Sequence, residues 1–324
     1  MTDLRLTIAT VPYDRVEALR YGTVKPDGIA LDYQTMIPAH DIFYAMVERE
    51  AFDVCEMSLA YSLMRFARGG APFVGVPVFP SRFFRHGNIF VNRRAGIKTP
   101  KDLEGRRVGI QEFRQTALIW VRGMLRDDHG VDTDSIRWVE GGVNEPKRNS
   151  STDMKPNRAY KMEALSGKSL SDALAAGELD AVIAATAPDS RRTSPDVVRL
   201  FPDFRQVEQD YFRRTGIFPI MHTLVVRKPV YDASPWVAGS LFRAFVASKA
   251  VAMKRMRYSG AMVYMTPWLQ ADVDEMDAVF GGDAWPYGLD ANRAQLDTFL
   301  RYLVEEGFLD RAPRVDDLFA PVTA

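Results

Sequence analysis

Short apolar runs alternate along the chain with segments whose apolar residues fall three or four apart. That is the pattern of strands separated by helices in an α/β protein with mostly parallel sheets. LRLTIAT (residues 4–10) reads as a first strand and residues 13–21 as a helix. GIALDYQ is the next strand and HDIFYAMVERE the next helix. FDVCEM is a strand running directly into the helix SLAYSLMRFARGG, where Leu59, Leu63 and Phe66 share one face and Gly69-Gly70 ends it. FVGVPVF closes this group as another strand.

A second group repeats the rhythm. TPKDLEGRRVGI reads as a short helix, a turn and a strand; QTALIWVRGMLRDDHG as a helix ending at Gly130; IRWVEGG as a strand. SLSDALAAGELDAVIAA is a helix, a glycine break and a strand. Residues 144–164 are polar and irregular and read as a surface loop or insertion. A further strand follows over Ile220–Arg227, and the remainder is helical. Ser234-Pro235 starts a helix with Val237, Leu241, Phe242, Phe245 and Val246 at helical spacing. Behind Asp290 as a cap, Leu296, Phe299, Leu300, Leu303 and Val304 form another apolar stripe.

Two α/β groups joined by extended segments near residues 84–92 and 215–222 predict two lobes crossed twice by the chain. Residues 1–86 with 217–324 form the first lobe and residues 87–216 the second. Segments that cross between lobes line the cleft in which ligands preferentially sit. This expectation accounts for the polar residues Ser81, Arg82, Arg85 and His86 inside the otherwise apolar stretch FPSRFFRHGNIFV.

Composition narrows the chemistry. A length of 324 residues suits two lobes, and 47% hydrophobic with 26% charged residues is ordinary globular usage. Basic and acidic residues balance at 42 each, so no global field attracts nucleic acid or an anionic membrane. Cys55 is the single cysteine, which excludes an internal disulfide and a cysteine-based metal cluster. The amino-terminal MTDLRLTIATVPYDR lacks the pattern of a secretory signal, and no run approaches the length of a membrane span. The expectation is a cytoplasmic protein with no nucleic-acid or membrane partner. The Met- and aromatic-rich YSGAMVYMTPWL is either core or a homo-oligomer interface.

Candidate chemistry gathers at strand ends and crossings. DVCEMS ends with Glu56 and Ser58 at a helix start, and VGIQEFRQT ends with Glu112 and Thr116 at another. Free amides of a first helical turn hold carboxylates, so these two starts suit a small dianionic molecule; ordinary capping is the plainer role for each. Arg82, Arg85 and Arg214 lie in the crossings, where a guanidinium fork either grips a carboxylate or forms a structural ion pair. His86 and His222 occupy matching places in the two crossings and offer a proton donor near neutral pH. Tyr13, Phe84 and Phe218 are candidate walls for an aromatic ring. Phosphate-binding glycine loops, the GxSxG elbow and HExxH are absent, and no residue spacing supports a metal site.

The segments YDRVEAL, FDVCEMSLAYSLMRFARG, PVFPSRFFRHGNIFV, GIKTPKDLEGRRVGI, WVRGMLRDDHGV, DALAAGELDAVI and YFRRTGIFPIMH together resemble the 4,5-dihydroxyphthalate decarboxylase family. The resemblance runs from about Leu6 to the carboxy-terminal helices and implies a two-lobed fold like the type 2 periplasmic solute-binding proteins. It implies loss of one ring carboxylate from a hydroxylated aromatic acid, with no organic cofactor and a small aromatic carboxylate as partner. In that reading Arg82 and Arg85, with amides near Ser58 or Thr116, clamp the carboxylates, and His86 or His222 protonates the ring carbon. Glu56 or Glu112 then takes the phenolic proton or orients the histidine. The alternative is a binding protein of the same scaffold that captures a small anion without chemistry.

Overall fold

The computed structural model describes residues 3–146 and 154–322. Among these residues eleven strands are present. In chain order they are β1 (Leu4–Thr10), β2 (Ile29–Thr35), β3 (Val54–Ser58), β4 (Phe73–Arg82), β5 (Ile89–Asn92), β6 (Arg107–Ile110), β7 (Arg137–Glu140), β8 (Met162–Ala164), β9 (Ala181–Ile183), β10 (Val197–Arg199) and β11 (Ile220–Arg227). The chain divides into two units: Met1–Arg82, Ile220–Asp297 and Pro313–Ala324 form the first, and Phe83–Pro219 with Thr298–Ala312 form the second.

The first unit is built on a five-stranded sheet in the order β2-β1-β3-β11-β4. β1 runs parallel to β2 and β3, whereas β11 is antiparallel to both of its neighbours, β3 and β4. The carboxyl ends of β1, β3 and β4 and the amino end of β11 therefore meet along one edge, where open α/β sheets place their ligands. β3 and β11 are buried almost throughout because they lie inside the sheet with both faces covered. The long helix Trp236–Met256 buries Val237, Leu241, Phe242 and Phe245 and packs against the 3-10 turn Asp14–Val16 that follows β1. Val246, placed in the apolar stripe by its spacing, lies on the exposed face instead.

The second unit holds a six-stranded sheet, β10-β5-β9-β6-β7-β8. Phe90, Val139, Leu170, Leu174, Leu179 and Val182 form its core beneath the helix Leu170–Ala176. Two short strands escaped the sequence pattern. β8 falls inside the segment read as a loop, of which residues 147–153 lie outside the described residues. Its three side chains are all exposed, so it has no apolar alternation to betray it. β10 is an edge strand beside β5, equally short.

The unit boundaries also differ from the sequence expectation. The crossings fall at 82/83 and 219/220, and residues 298–312 leave the first unit for the second. Side-chain chemistry explains the transfer. Arg122 and Glu306, both fully buried, form an ion pair, with Arg122 Nε 3.0 Å from Glu306 Oε2. Tyr302 packs flat on Gly123, where an added Cβ would lie 2.2 Å from the ring. Such a buried pair holds only while both partners remain in place, since removing one strands the other without water.

Candidate active site

Glu56 and His222 meet because of strand register. In the antiparallel β3–β11 pair His222 stands opposite Ser58 and Leu224 opposite Glu56. Glu56 and His222 are thus diagonal neighbours on one face of the sheet, a separation that long side chains bridge. On the other side His222 pairs with Ser81, and the ladder between β11 and β4 shifts register on either side of it. Such irregularities re-aim side chains next to functional sites.

The contact is close: His222 Nδ1 lies 2.5 Å from Glu56 Oε1. The same oxygen accepts the Tyr13 hydroxyl at 2.6 Å, and Oε2 accepts the Val11 backbone N–H at 2.9 Å. Glu56 is 0% exposed. Burial, the strongest single influence, pushes its carboxyl upward, but the His222 ring, the Tyr13 hydroxyl and the Val11 amide together hold it below the usual glutamate range. An ionised Glu56 makes Nδ1 the donating nitrogen of His222 and leaves Nε2 as the atom available to chemistry. The His222 side chain is 19% exposed, and Phe43 packs edge-on against it at 5.0 Å between centroids.

Tyr13 was expected to wall an aromatic ring; its hydroxyl instead donates to Glu56 and is hydrogen-bonded to Ser81. Burial first, and the Glu56 charge second, raise its pKa far above the ordinary phenol range, so it stays a donor. Arg15, which lies in the YDRVEAL segment but was not among the candidate site residues, stacks over the Tyr13 ring with Cζ 4.1 Å from its centroid. Ser58 caps the helix Leu59–Arg68, accepting from the Tyr61 N–H at 3.5 Å. Tyr13, Arg15, Glu56, Ser58, Ser81 and His222 all belong to the first unit, at the sheet edge described above.

The remaining candidates have structural surroundings. Arg82 is 4% exposed; its guanidinium donates to Gln295 Oε1 and the Pro286 carbonyl, each at 2.9 Å, and to Asn292 Oδ1. These contacts make it the tie for the turn ahead of the helix Arg293–Glu305. Burial lowers its pKa to about 9.

In the second unit Arg85 is buried, donates to the Ala185 carbonyl at 3.1 Å and lies over the Phe83 ring. His86 is 2% exposed, edge-on to Phe201 and Tyr211, with Nδ1 3.9 Å from Glu208 Oε1, beyond hydrogen-bond reach. Burial drops its pKa to about 4. Phe84 and Phe218 stack on each other at 4.5 Å and 24°. Glu112 pairs with Arg114 at 3.0 Å, and Arg214 is an exposed partner of Asp128 at 2.9 Å. Thr116 is buried as the first residue of the helix Thr116–His129, whose cap position belongs to Gln115. Among the described residues no group of three or more His, Cys, Asp or Glu side chains is placed to hold a metal ion.

A curated 4,5-dihydroxyphthalate decarboxylase from Comamonas testosteroni is 37% identical over 325 aligned positions, spanning 100% of this chain and 98% of the relative. The chain belongs to the 4,5-dihydroxyphthalate decarboxylase family. A second curated member, from Pseudomonas putida, is 37% identical over 215 positions, covering 66% of this chain and 83% of its own length. The NMT1/THI5 like family model matches residues 27–153. Among solved structures, the sulfonate-binding protein SsuA from Methylobacillus flagellatus KT superposes with a TM-score of 0.56 at 15% identity, covering 99% of this chain and 93% of that one. SsuA from Escherichia coli gives 0.55 at 13% identity, with 99% and 98% covered. The family member therefore has the two-lobed type 2 periplasmic-binding-protein-like fold. Fold likeness at this identity carries no function.

Proposed function

We propose that this family member is a carboxy-lyase that releases carbon dioxide from a hydroxylated aromatic dicarboxylic acid such as 4,5-dihydroxyphthalate, giving protocatechuate. Its relatives' names support the reaction, and the observation that carries the chemistry is the buried Glu56–His222 pair, with its free ring nitrogen at the sheet edge. Decarboxylation requires a proton on the ring carbon that bears the carboxylate. His222, its Nδ1 held by ionised Glu56, delivers a proton from Nε2 to that carbon. The hydroxyl para to it supplies electron density and carries the positive charge as a protonated carbonyl. The carbon–carboxylate bond then breaks, its electron pair restores the aromatic ring, and carbon dioxide leaves. His222 regains its proton from water. Tyr13 and the Val11 amide keep Glu56 ionised and fixed, so the ring of His222 stays oriented through its Nδ1 as the proton leaves and returns at Nε2.

The test is incubation of the purified protein with a panel of hydroxylated phthalates and benzoates while carbon dioxide is followed. Gas from at least one 4-hydroxylated phthalate, lost in a folded His222→Ala variant, supports the proposal. Ligand affinity without gas across the panel leaves a binding protein and overturns it.

A further inference from the structure

Arg15 is oriented with unusual care for a side chain next to the acid pair. Its Nε donates to the Pro80 carbonyl at 2.5 Å and its Nη1 lies 3.1 Å from Asp14 Oδ1. One face of the guanidinium lies over Tyr13, and the indole of Trp285 approaches with its centroid 5.2 Å from Cζ. The side chain is 16% exposed. Among the described residues nothing bonds Nη2. Asp14 is more exposed than Arg15, so its charge is screened by water and compensates the cation only in part. A guanidinium fixed on three sides, with its terminal nitrogen left open, is prepared for a carboxylate.

Its place relative to the acid pair gives that carboxylate an identity. Tyr13 is the bridge, carrying Arg15 on its ring and Glu56 on its hydroxyl, and Glu56 in turn holds His222. Pro80, whose carbonyl Arg15 grips, precedes Ser81, the partner of both Tyr13 and the His222 backbone register. Resting on the decarboxylase reading, we infer that Arg15 forms the subsite for the carboxylate retained in the product. The ortho carboxylate of a phthalate is gripped at Nη2 while its neighbour is lost beside His222. Arg15 thereby selects aromatic 1,2-dicarboxylates over monocarboxylates.

Unsubstituted phthalate is the probe, because without a para hydroxyl it binds without turning over. Calorimetry on wild type, Arg15→Gln and Arg15→Lys should show phthalate affinity falling about ten- to a hundredfold in the glutamine variant. The lysine variant keeps the charge, loses the fork and should fall between. Catechol, which has no carboxylate, should bind all three alike. Failure of wild type to bind phthalate, or equal phthalate affinity in the variants, overturns the subsite. If Arg15→Gln does not fold, Arg15→Lys alone decides by the same comparison. Arg15-dependent phthalate binding without gas from any hydroxylated phthalate would keep the subsite and refute the decarboxylase. Unchanged affinity with normal gas release would do the reverse.

Discussion

Replacing Glu56 by glutamine tests the acid pair at its root. The side chain is nearly isosteric, but its amide offers one acceptor oxygen where the carboxylate offers two. In the wild type Oε1 receives two donors, Tyr13 and His222, and Oε2 receives a third, the Val11 N–H. Whichever way the amide is turned, its NH2 confronts at least one of these donors. With Glu56 fully buried, no water repairs the loss, and one unsatisfied donor costs about 1–3 kcal/mol. His222 also loses the carboxylate that orients its ring, so turnover should fall on the order of 10²–10⁴-fold, the range of one proton-transfer group.

The pH dependence has a definite sign. Glu56 titrates lower in the folded protein than its ordinary value of 4.5. Its ionisation therefore stabilises the fold fully above that value and ceases to as the pH falls through the lower, folded one. Urea melts of wild type and Glu56→Gln at pH 7, 5, 4 and 3, paired with carbon dioxide release at pH 7, read both effects. The stability gap should be widest at pH 7 and narrow below about pH 4.5. A variant with wild-type turnover and an unchanged melt at pH 7 would refute the reasoning.

Other outcomes follow from the surroundings of single residues. His86→Phe should retain turnover within about threefold, because a neutral buried ring packed on Phe201 and Tyr211 serves packing; loss of gas release in a folded variant would return His86 to the chemistry. Arg82→Ala should lower stability by about 1–3 kcal/mol by stranding the side-chain oxygens of Gln295 and Asn292, without weakening phthalate binding in the folded fraction. Gly123→Ala should cost about 1–3 kcal/mol in urea melts, since its Cβ would collide with the Tyr302 ring. Burial raises the Glu208 pKa to about 7. The stability it allows is complete below its ordinary 4.5 and declines as pH rises through about 7. Glu208→Gln should abolish that decline, raising stability at pH 8 relative to wild type.

Element type was legible wherever burial imposed a rhythm. β1, β3, β4 and β11, the helix Leu59–Arg68 and the helix Thr116–His129 each bury a face or both faces, and each carries the matching apolar pattern. β8 was illegible because all three of its side chains face water. Glu56 and His222 stood out as polar residues in apolar runs, and position at a strand end marked them as candidates. At Arg82 and His86 the same reasoning had no means to choose, because a buried cation or imidazole looks identical in sequence whether it meets a ligand or a neighbouring turn. Arg15 carried a faint signal, its place just beyond the carboxyl end of β1.

The chain's alternation of apolar and polar residues determined by itself that it would form strands and helices of an α/β protein, since local periodicity is what sorts side chains to the two faces of an element. Which groups share a proton was decided only by tertiary structure. Insertion of β11 between β3 and β4 sets a register that brings His222 to Glu56 across 166 positions of sequence. Pairing between strands so distant in sequence is fixed by the collective packing of the whole sheet, which no local stretch of residues encodes.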